Sequence, residues 1–297
     1  MSPADRPFVS VIIPCYNQGA YLKTAVASVL NQSYPDYEII IINDGSTCPR
    51  TSRILENASF PRTTILHTVN RGVAAARNEG ISKAKGKYIL PLDADDKLGP
   101  DYIREAVAVM EADEEVGIVY CHAEHFGVLA GPVKMADYSI EQMLYANVIL
   151  CSGLFRRTDW QQTGGYRTEM KYALEDHDFW LSILSLGRKV VRLPECHFYY
   201  RIKFQSRSTK VRPEEYLEMR RQTYFRHREL YLKHADALFQ KTFECVLENY
   251  QLRYKLSTVL HTRTYNVLRQ ECFRFNRIFQ RLLAPSRHLG ANKSKEK

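Results

Sequence analysis

The chain reads as an α/β protein of three layers, a mostly parallel sheet with helices on both faces. Three observations carry that reading. Strand-like and helix-like segments alternate through four or more units, the pattern of parallel crossovers. Glu38 to Ile42 contains four consecutive isoleucines, a run that suits a strand buried on both faces. Apolar Tyr88, Ile89, Leu90 and Leu92 run directly into Asp93-Ala-Asp95-Asp96, which places carboxylates where a buried strand should end.

Each element follows from local pattern. Val9 to Pro14 is β-branched and apolar, a strand. Leu22, Ala25 and Val29 recur at helical spacing within Ala20 to Leu30. Glu38 to Ile42 is the second strand, Thr51 to Ala58 a helix, and Thr63 to Thr68 an alternating strand. Alanine-rich Gly72 to Ala84 is a helix, Lys87 to Leu92 a strand, Asp101 to Ala112 a helix and Val116 to Cys121 a strand. Ala123 to Asp137 reads as a loop or hairpin excursion, Ile140 to Ala146 as a short helix, and Ser152 to Arg156 as a strand before a turn at Gly164-Gly165. Glu175 to Leu186 is a helix; Lys189 to Leu193 and His197 to Ile202 are two strand-like pieces. From Pro213 glycine disappears until Gly290, and the region reads as wholly helical. Residues 285–297 are a polar tail without a packing pattern.

The 297 residues suffice for one large domain with an appendage, and 45% hydrophobic with 25% charged residues is globular composition, which excludes a disordered chain. No apolar run approaches the ~18 residues of a membrane span. The apolar stretch that stops at Pro14 is short for a secretory signal, so a cytoplasmic chain is expected. Seven cysteines are scattered without a Cys-x-x-Cys pair, arguing against a disulfide framework or zinc knuckle. Cys121-His-Ala-Glu-His125 lacks the helical Glu-x-x-His partner of a metal site. The net charge of +9 divides into −1 before residue 210 and +10 from it onward, a neutral body with a basic extension.

In an open parallel sheet, ligands bind outside the carboxyl ends of the strands. Those ends carry Pro14-Cys-Tyr16-Asn17, Asn43-Asp44-Gly-Ser46, Asn70-Arg-Gly72 with Arg77-Asn78 in the next helix, and Asp93-Ala-Asp95-Asp96. Each alone has a plain reading: Asn-Asp-Gly is a turn, Arg77 a surface charge, the acidic run a polar turn capping the helix near Pro100. Together they define one rim. Three adjacent carboxylates repel, and Mn²⁺ or Mg²⁺ would relieve them. No Gly-x-Gly-x-x-Gly occurs, and Gly80 to Lys87 departs from a P-loop in spacing and in Tyr88.

The segments Val9-Ser-Val-Ile-Ile-Pro-Cys-Tyr-Asn17, Asn43-Asp-Gly-Ser46, Asn70-Arg-Gly-Val-Ala-Ala-Ala-Arg-Asn78, Leu92-Asp-Ala-Asp-Asp96 and Glu175-Asp-His-Asp-Phe-Trp180 resemble, in order, the motifs of family 2 glycosyltransferases. The resemblance covers residues 8 to 206. It implies a GT-A fold over 1–209, followed by a basic helical extension over 210–284 and the tail 285–297. It implies that Asp44, Pro14, Tyr16 and Asn17 receive the nucleotide, that Arg77 approaches base or diphosphate, and that Asp93 holds the ribose. Asp95 and Asp96 would hold the Mn²⁺ or Mg²⁺. Asp176 would be the general base, supported by Glu175. Arg201, followed by Lys203, Ser206 and Arg207, would meet the diphosphate. The implied activity is an inverting, metal-dependent transfer from a nucleotide-sugar, UDP-linked by expectation, to a glycan or lipid-linked acceptor in surface polysaccharide assembly.

Two rivals remain at this level: an inactive nucleotide-sugar-binding assembly partner, which intact acids oppose, and a nucleotidyltransferase, which would carry a glycine-rich loop near the start. Glu175-Asp176 also reads as helix N-terminal acids that favour the dipole. In the basic extension, Leu268, Cys272, Phe275, Phe279 and Leu282 form an apolar stripe flanked by arginines. It suits packing on the catalytic domain or a partner helix, an anionic membrane at the inner face, or a polyanion; no nucleic-acid-binding signature accompanies it.

Overall fold

A computed structural model describes residues 9–204 and 211–260. Ser206, Arg207, the Leu268 to Leu282 stripe and the tail from Pro285 lie outside the described residues.

The first half alternates as expected: β1 (Val9–Cys15), α1 (Gly19–Leu30), β2 (Tyr37–Asp44), α2 (Pro49–Asn57), β3 (Thr63–Thr68), α3 (Val73–Lys83) and β4 (Tyr88–Pro91). Then come β5 (Lys97–Leu98), α4 (Tyr102–Ala112), β6 (Val116–Gly127), β7 (Gly131–Pro132), α5 (Ile140–Tyr145), β8 (Leu154–Arg156), α6 (Arg157–Thr163), α7 (Glu175–Leu184) and β9 (Lys189–Ile202). Three helices follow: α8 (Pro213–Arg226), α9 (Arg228–Lys233) and α10 (Ala235–Leu260).

The strands form one sheet in the order β3-β2-β1-β4-β8-β6-β9-β5, with β7 paired to β6. The first four are parallel. β8 is antiparallel to both β4 and β6, while β6 and β9 run parallel. The isoleucine run explains how the sheet is covered. Ile39 and Ile41 join Val9, Val11, Ile13, Leu22 and Ile103 in a core on one face. Ile40 and Ile42 join Ile12, Ile81, Phe179 and Trp180 in a core on the other. With both faces dry, each of the four contributes ~1.5–3 kcal/mol of apolar burial. Gly80 sets how closely α3 approaches: a Cβ there would lie 2.6 Å from Ile42 Cδ1 and 2.8 Å from Ile12 Cγ2.

Several elements differ from expectation. The two strand-like pieces of 189–202 are one strand, and the expected break at Pro194 to Cys196 is a bulge where the register against β6 shifts. Only part of Ala123 to Asp137 is excursion: β6 runs to Gly127 and turns back into β7 as a hairpin. The sequence did not announce β5 or α6; a two-residue strand has no period, and Arg-Thr-Asp-Trp-Gln-Gln-Thr has one large apolar side chain.

Two compact units result, the first ending at Leu238 and the second beginning at Phe239. The first therefore includes α8 and α9, beyond the boundary expected at residue 210. Leu230, Tyr231 and Leu238 pack on the second core, and polar contacts add to this docking. Arg220 donates to the carbonyls of Leu144 and Tyr145, the Tyr231 hydroxyl donates to the Leu144 carbonyl, and Arg226 and His227 meet the buried Asp178. In the second unit the described helix exposes Phe239, Phe243, Val246 and Tyr250. Among the described residues, no helix is long and apolar enough to cross a membrane.

Candidate active site

Because β1, β2 and β4 are parallel neighbours, their carboxyl ends open on one edge. Pro14 is buried in β1 opposite Ile42, so its ring belongs to the strand rather than to open cleft. Tyr16 is exposed beyond it. Asn17 takes a left-handed backbone (φ 56°), which asparagine tolerates. Its Oδ1 accepts from the N–H groups of Thr47 (2.9 Å) and Cys48 (2.8 Å), and its Nδ2 donates to Thr47 Oγ1. Asn17 thus ties the ends of β1 and β2 together.

Asp44 is buried, and its two oxygens accept from the N–H groups of Arg71 and Gly72, each at 2.9 Å. This clamps the loop before α3 against the end of β2. Gly45 makes the turn possible: its φ is +64°, and a Cβ would stand 2.5 Å from the Asn70 nitrogen.

Arg77 is not the surface charge its residue type suggests. It is 1% exposed, and its Nη2 donates to Asp93 Oδ1 at 2.8 Å while Nη1 donates to Glu175 Oε1 at 3.0 Å. The guanidinium also lies over the Tyr166 ring. Burial disfavours its charge, but the two carboxylates hold its pKa well above the ordinary value. Arg77 is therefore a buried bridge between the acidic turn and α7. One residue on, Asn78 clamps the segment before α7. Its Nδ2 donates to the Tyr166 carbonyl (2.7 Å), and its Oδ1 accepts from the Tyr166 N–H (2.9 Å) and the Trp160 indole (3.0 Å).

The acidic turn after β4 is closed by Asp96 N–H donating to the Asp93 carbonyl at 3.0 Å. Its three carboxylates have different surroundings. Asp93 meets Arg77, with Cys151 Sγ 3.8 Å from its Oδ2. Asp95 pairs with Lys203. Asp96 is buried, its Oδ1 accepts from the Arg201 N–H at 2.8 Å, and Oδ2 has no hydrogen-bond partner. Burial first, then Asp93 and Asp95, push its pKa well above the carboxylate range. The chain itself thus supplies positive charge to Asp93 and Asp95, a relief of repulsion that the sequence reading assigned to a metal. Arg201 turns inward: its Nε donates to the Asp95 carbonyl at 2.7 Å, and its guanidinium lies 4.2 Å from the Phe126 ring centroid and 4.8 Å from that of Tyr21. A divalent cation fits the donor set, because Asp93, Asp96 and Cys151 each offer a ligand atom within 4.8 Å of the others and Asp96 Oδ2 is an orphaned buried oxygen.

Leu174 enters α7 through a left-handed turn (φ 66°). Glu175 is buried against Arg77, whereas Asp176 is half-buried. Asp176 Oδ1 accepts from the His177 N–H (2.8 Å) and Oδ2 from Asn147 Nδ2 (3.2 Å). An ionised carboxylate suits this helix start. Sequence reasoning missed Asn147 and Cys151, which stand in no motif, and gave Lys203 no partner. A second cluster, Glu105, Glu195 and His197, gathers on α4 and β9 away from this turn.

A crossover sheet with an acidic turn at a strand end, bridged by one arginine to acids at a helix start, is the GT-A layout. The sequence model of glycosyl transferase family 2 matches residues 10–170, more than half of the 297 residues, and the chain belongs to that family. The chondroitin synthase of Pasteurella multocida strain Pm70 is 31% identical over 188 residues, 61% of this chain and 19% of that protein. The chain thus spans about a fifth of that relative's length. The putative teichuronic acid biosynthesis glycosyltransferase TuaG of Bacillus subtilis strain 168 is 29% identical over 250 residues, 82% of this chain and 94% of that one. Among solved structures, a fragment of S. aureus TarS in complex with UDP-GlcNAc superposes with a TM-score of 0.63 at 18% identity, covering 73% of this chain and 66% of the fragment. That likeness shows the fold.

Proposed function

We propose that the chain is an inverting glycosyltransferase. It moves a sugar from a nucleotide diphosphate donor, UDP-linked, to a hydroxyl of a glycan or lipid-linked acceptor. The observation that carries this reading is the Arg77 bridge, which fixes the acidic turn and the Glu175-Asp176 pair on one rigid guanidinium. A donor bound at the strand ends and an acceptor approaching α7 then meet at a preset distance. The complexes of TarS with UDP and UDP-GlcNAc support the donor class, and the chondroitin synthase relative supports a glycan acceptor.

Asp176 takes the proton of the acceptor hydroxyl as its oxygen attacks the anomeric carbon. The bond to the diphosphate oxygen breaks on the opposite face, so a single displacement inverts the centre. Asn147 and the His177 N–H hold the Asp176 oxygens in place, and Glu175 positions Asp176 through Arg77. Asp93, Asp95 and Asp96 are the residues that would hold Mn²⁺ or Mg²⁺, which when bound offsets charge on the departing diphosphate. Lys203 and Arg201 stand beside that position. Tyr16 and the loop clamped by Asp44 receive the nucleotide. The enzyme works in the cytoplasm, at the inner face of the membrane when its acceptor is lipid-linked.

The test is a panel of nucleotide-sugars scored for transfer and hydrolysis, with UDP calorimetry in Mn²⁺, Mg²⁺ and chelator. UDP should bind tightly only with metal present. Equal affinity in chelator removes the metal role, and no nucleotide-sugar turnover or binding removes the whole reading.

A further inference from the structure

We propose that Asp93, Asp96 and Cys151 form a chelate for a thiophilic divalent cation of the zinc and cadmium class, at the floor of the cleft and apart from Asp95. Three observations support it. First, the ligand atoms are already gathered: one carboxylate oxygen from each aspartate and the Cys151 sulfur lie within 4.8 Å of one another. A tetrahedral zinc, with Zn–S of ~2.3 Å and Zn–O of ~2.1 Å, needs its sulfur and oxygen ligands ~3.6 Å apart. Cys151 Sγ and Asp93 Oδ2 stand 3.8 Å apart.

Second, one ligand is prepared. Asp96 is 1% exposed; its Oδ1 is committed to the Arg201 N–H, and its Oδ2 is buried without a hydrogen-bond partner. A buried carboxylate oxygen with no donor is disfavoured unless a cation or proton meets it. Tyr120, Trp180 and other buried side chains also have unpartnered atoms, but Asp96 is the one that belongs to a three-ligand cluster.

Third, the backbone that carries the set is fixed. The acidic turn is closed by its own Asp96–Asp93 hydrogen bond, and Leu92 N–H still donates to the Ile12 carbonyl. Cys151 precedes Ser152, whose carbonyl accepts from the buried Tyr102 hydroxyl at 2.7 Å, and β8 begins two residues later beside β4. Asp95 is not part of the set, because Lys203 holds it.

Charge and hardness then select the metal. Two carboxylates and a thiolate carry three negative charges; a divalent cation offsets two of them, and Arg77, shared between Asp93 and Glu175, offsets part of the third. On binding, the Cys151 S–H bond breaks and a sulfur–metal bond forms; that proton, and the proton of Asp96 where it is held, leave to solvent. Magnesium demands oxygen ligands in an octahedron and avoids thiolate, so it gains nothing from Cys151. Occupation would take Asp93 from the nucleotide and Asp96 from Mn²⁺ or Mg²⁺, a consequence that rests on the donor-site reading; the binding itself does not.

The experiment uses the full chain without nucleotide. Cadmium is titrated while the ultraviolet sulfur-to-metal charge-transfer absorbance is followed, and zinc is measured by competition with a chromophoric chelator. Wild-type protein should bind one tight ion per chain with the charge-transfer signal. Cys151→Ser should lose that signal and weaken zinc at least about tenfold. Asp96→Asn should also weaken zinc at least about tenfold, and Cys48→Ser should leave the signal intact. Thermal melting of each variant confirms that a loss is not unfolding. A Cys151→Ser protein that keeps the signal and the zinc affinity overturns the proposal. Zinc binding that depends on Cys151 upholds it even where no nucleotide binds, an outcome that would sink only the donor reading.

Discussion

Asp176 and Asp178 lie two residues apart in one helix and have opposite surroundings. Asp176 is half-buried at the helix start, and the neutral amide of Asn147 donates to its Oδ2. Asp178 is fully buried, with Arg226 Nη1 at 2.6 Å and His227 Nε2 at 3.2 Å on the same oxygen. The first carboxylate meets a neutral amide and a backbone N–H; the second is committed to docking α8 and α9. In the sequence they are equivalent acids of Glu-Asp-His-Asp. The environment divides them: one stands at the helix start, the other meets Arg226 and His227 from ~50 residues away, which no local pattern encodes.

The largest expected effect breaks the comparison on the chemical side. Asp176→Asn should slow transfer by ~10²–10⁴-fold while UDP affinity and melting temperature stay near wild type. A variant that turns over normally would assign the base elsewhere. On the other side, Asp178→Ala leaves Arg226 and His227 facing a void and should cost ~3–5 kcal/mol of stability in a denaturant titration. Transfer per folded molecule should fall far less than for Asp176→Asn. Equal losses of activity would merge the two roles.

Between the two acids, His177 predicts a pH dependence. Its Nε2 bonds the Met143 carbonyl, and burial lowers its pKa from 6.5 to about 4. In that interval the unfolded chain binds the proton and the folded chain does not. The full contribution is therefore present above 6.5 and is lost as pH falls toward 4. The loss should approach ~3 kcal/mol and be absent in His177→Gln. Chemical denaturation at closely spaced pH values would show it; an unchanged slope in the variant would assign the effect to other groups. The smallest effect concerns Lys203. With its ammonium removed, Lys203→Gln should raise the Mn²⁺ affinity of the nucleotide-free protein about tenfold, because Asp95 no longer has a competing cation. No change in a Mn²⁺ titration by electron paramagnetic resonance would separate Lys203 from the metal.

The sheet was legible because its signals are short-range. Four isoleucines in a row mean a strand dry on both faces, and an alanine-rich segment ending in Lys83 means a helix. The rim was legible because parallel strands bring their ends together. What escaped was long-range. Arg77 looks like a surface charge until its two carboxylates, 16 and 98 residues away, are placed beside it. The docking of α8 buries only Met219 and Thr223 within the helix, so no apolar stripe advertised it. Cys151 and Asn147 belong to no motif, and their proximity to Asp93 and Asp176 follows from how β8 enters between β4 and β6.

The Asn78 clamp has a consequence for building chimeras. The segment from α6 to α7, which would shape acceptor choice, is moored by one carboxamide on α3 that gives one hydrogen bond and takes two. Aspartate could replace only the acceptor half of that mooring, and alanine neither half. A transplanted segment must therefore present an indole-like donor and a backbone amide to position 78, or bring its own partner for that position along. The segment from α6 to α7 is thus exchangeable together with its partner on α3 rather than as a single loop.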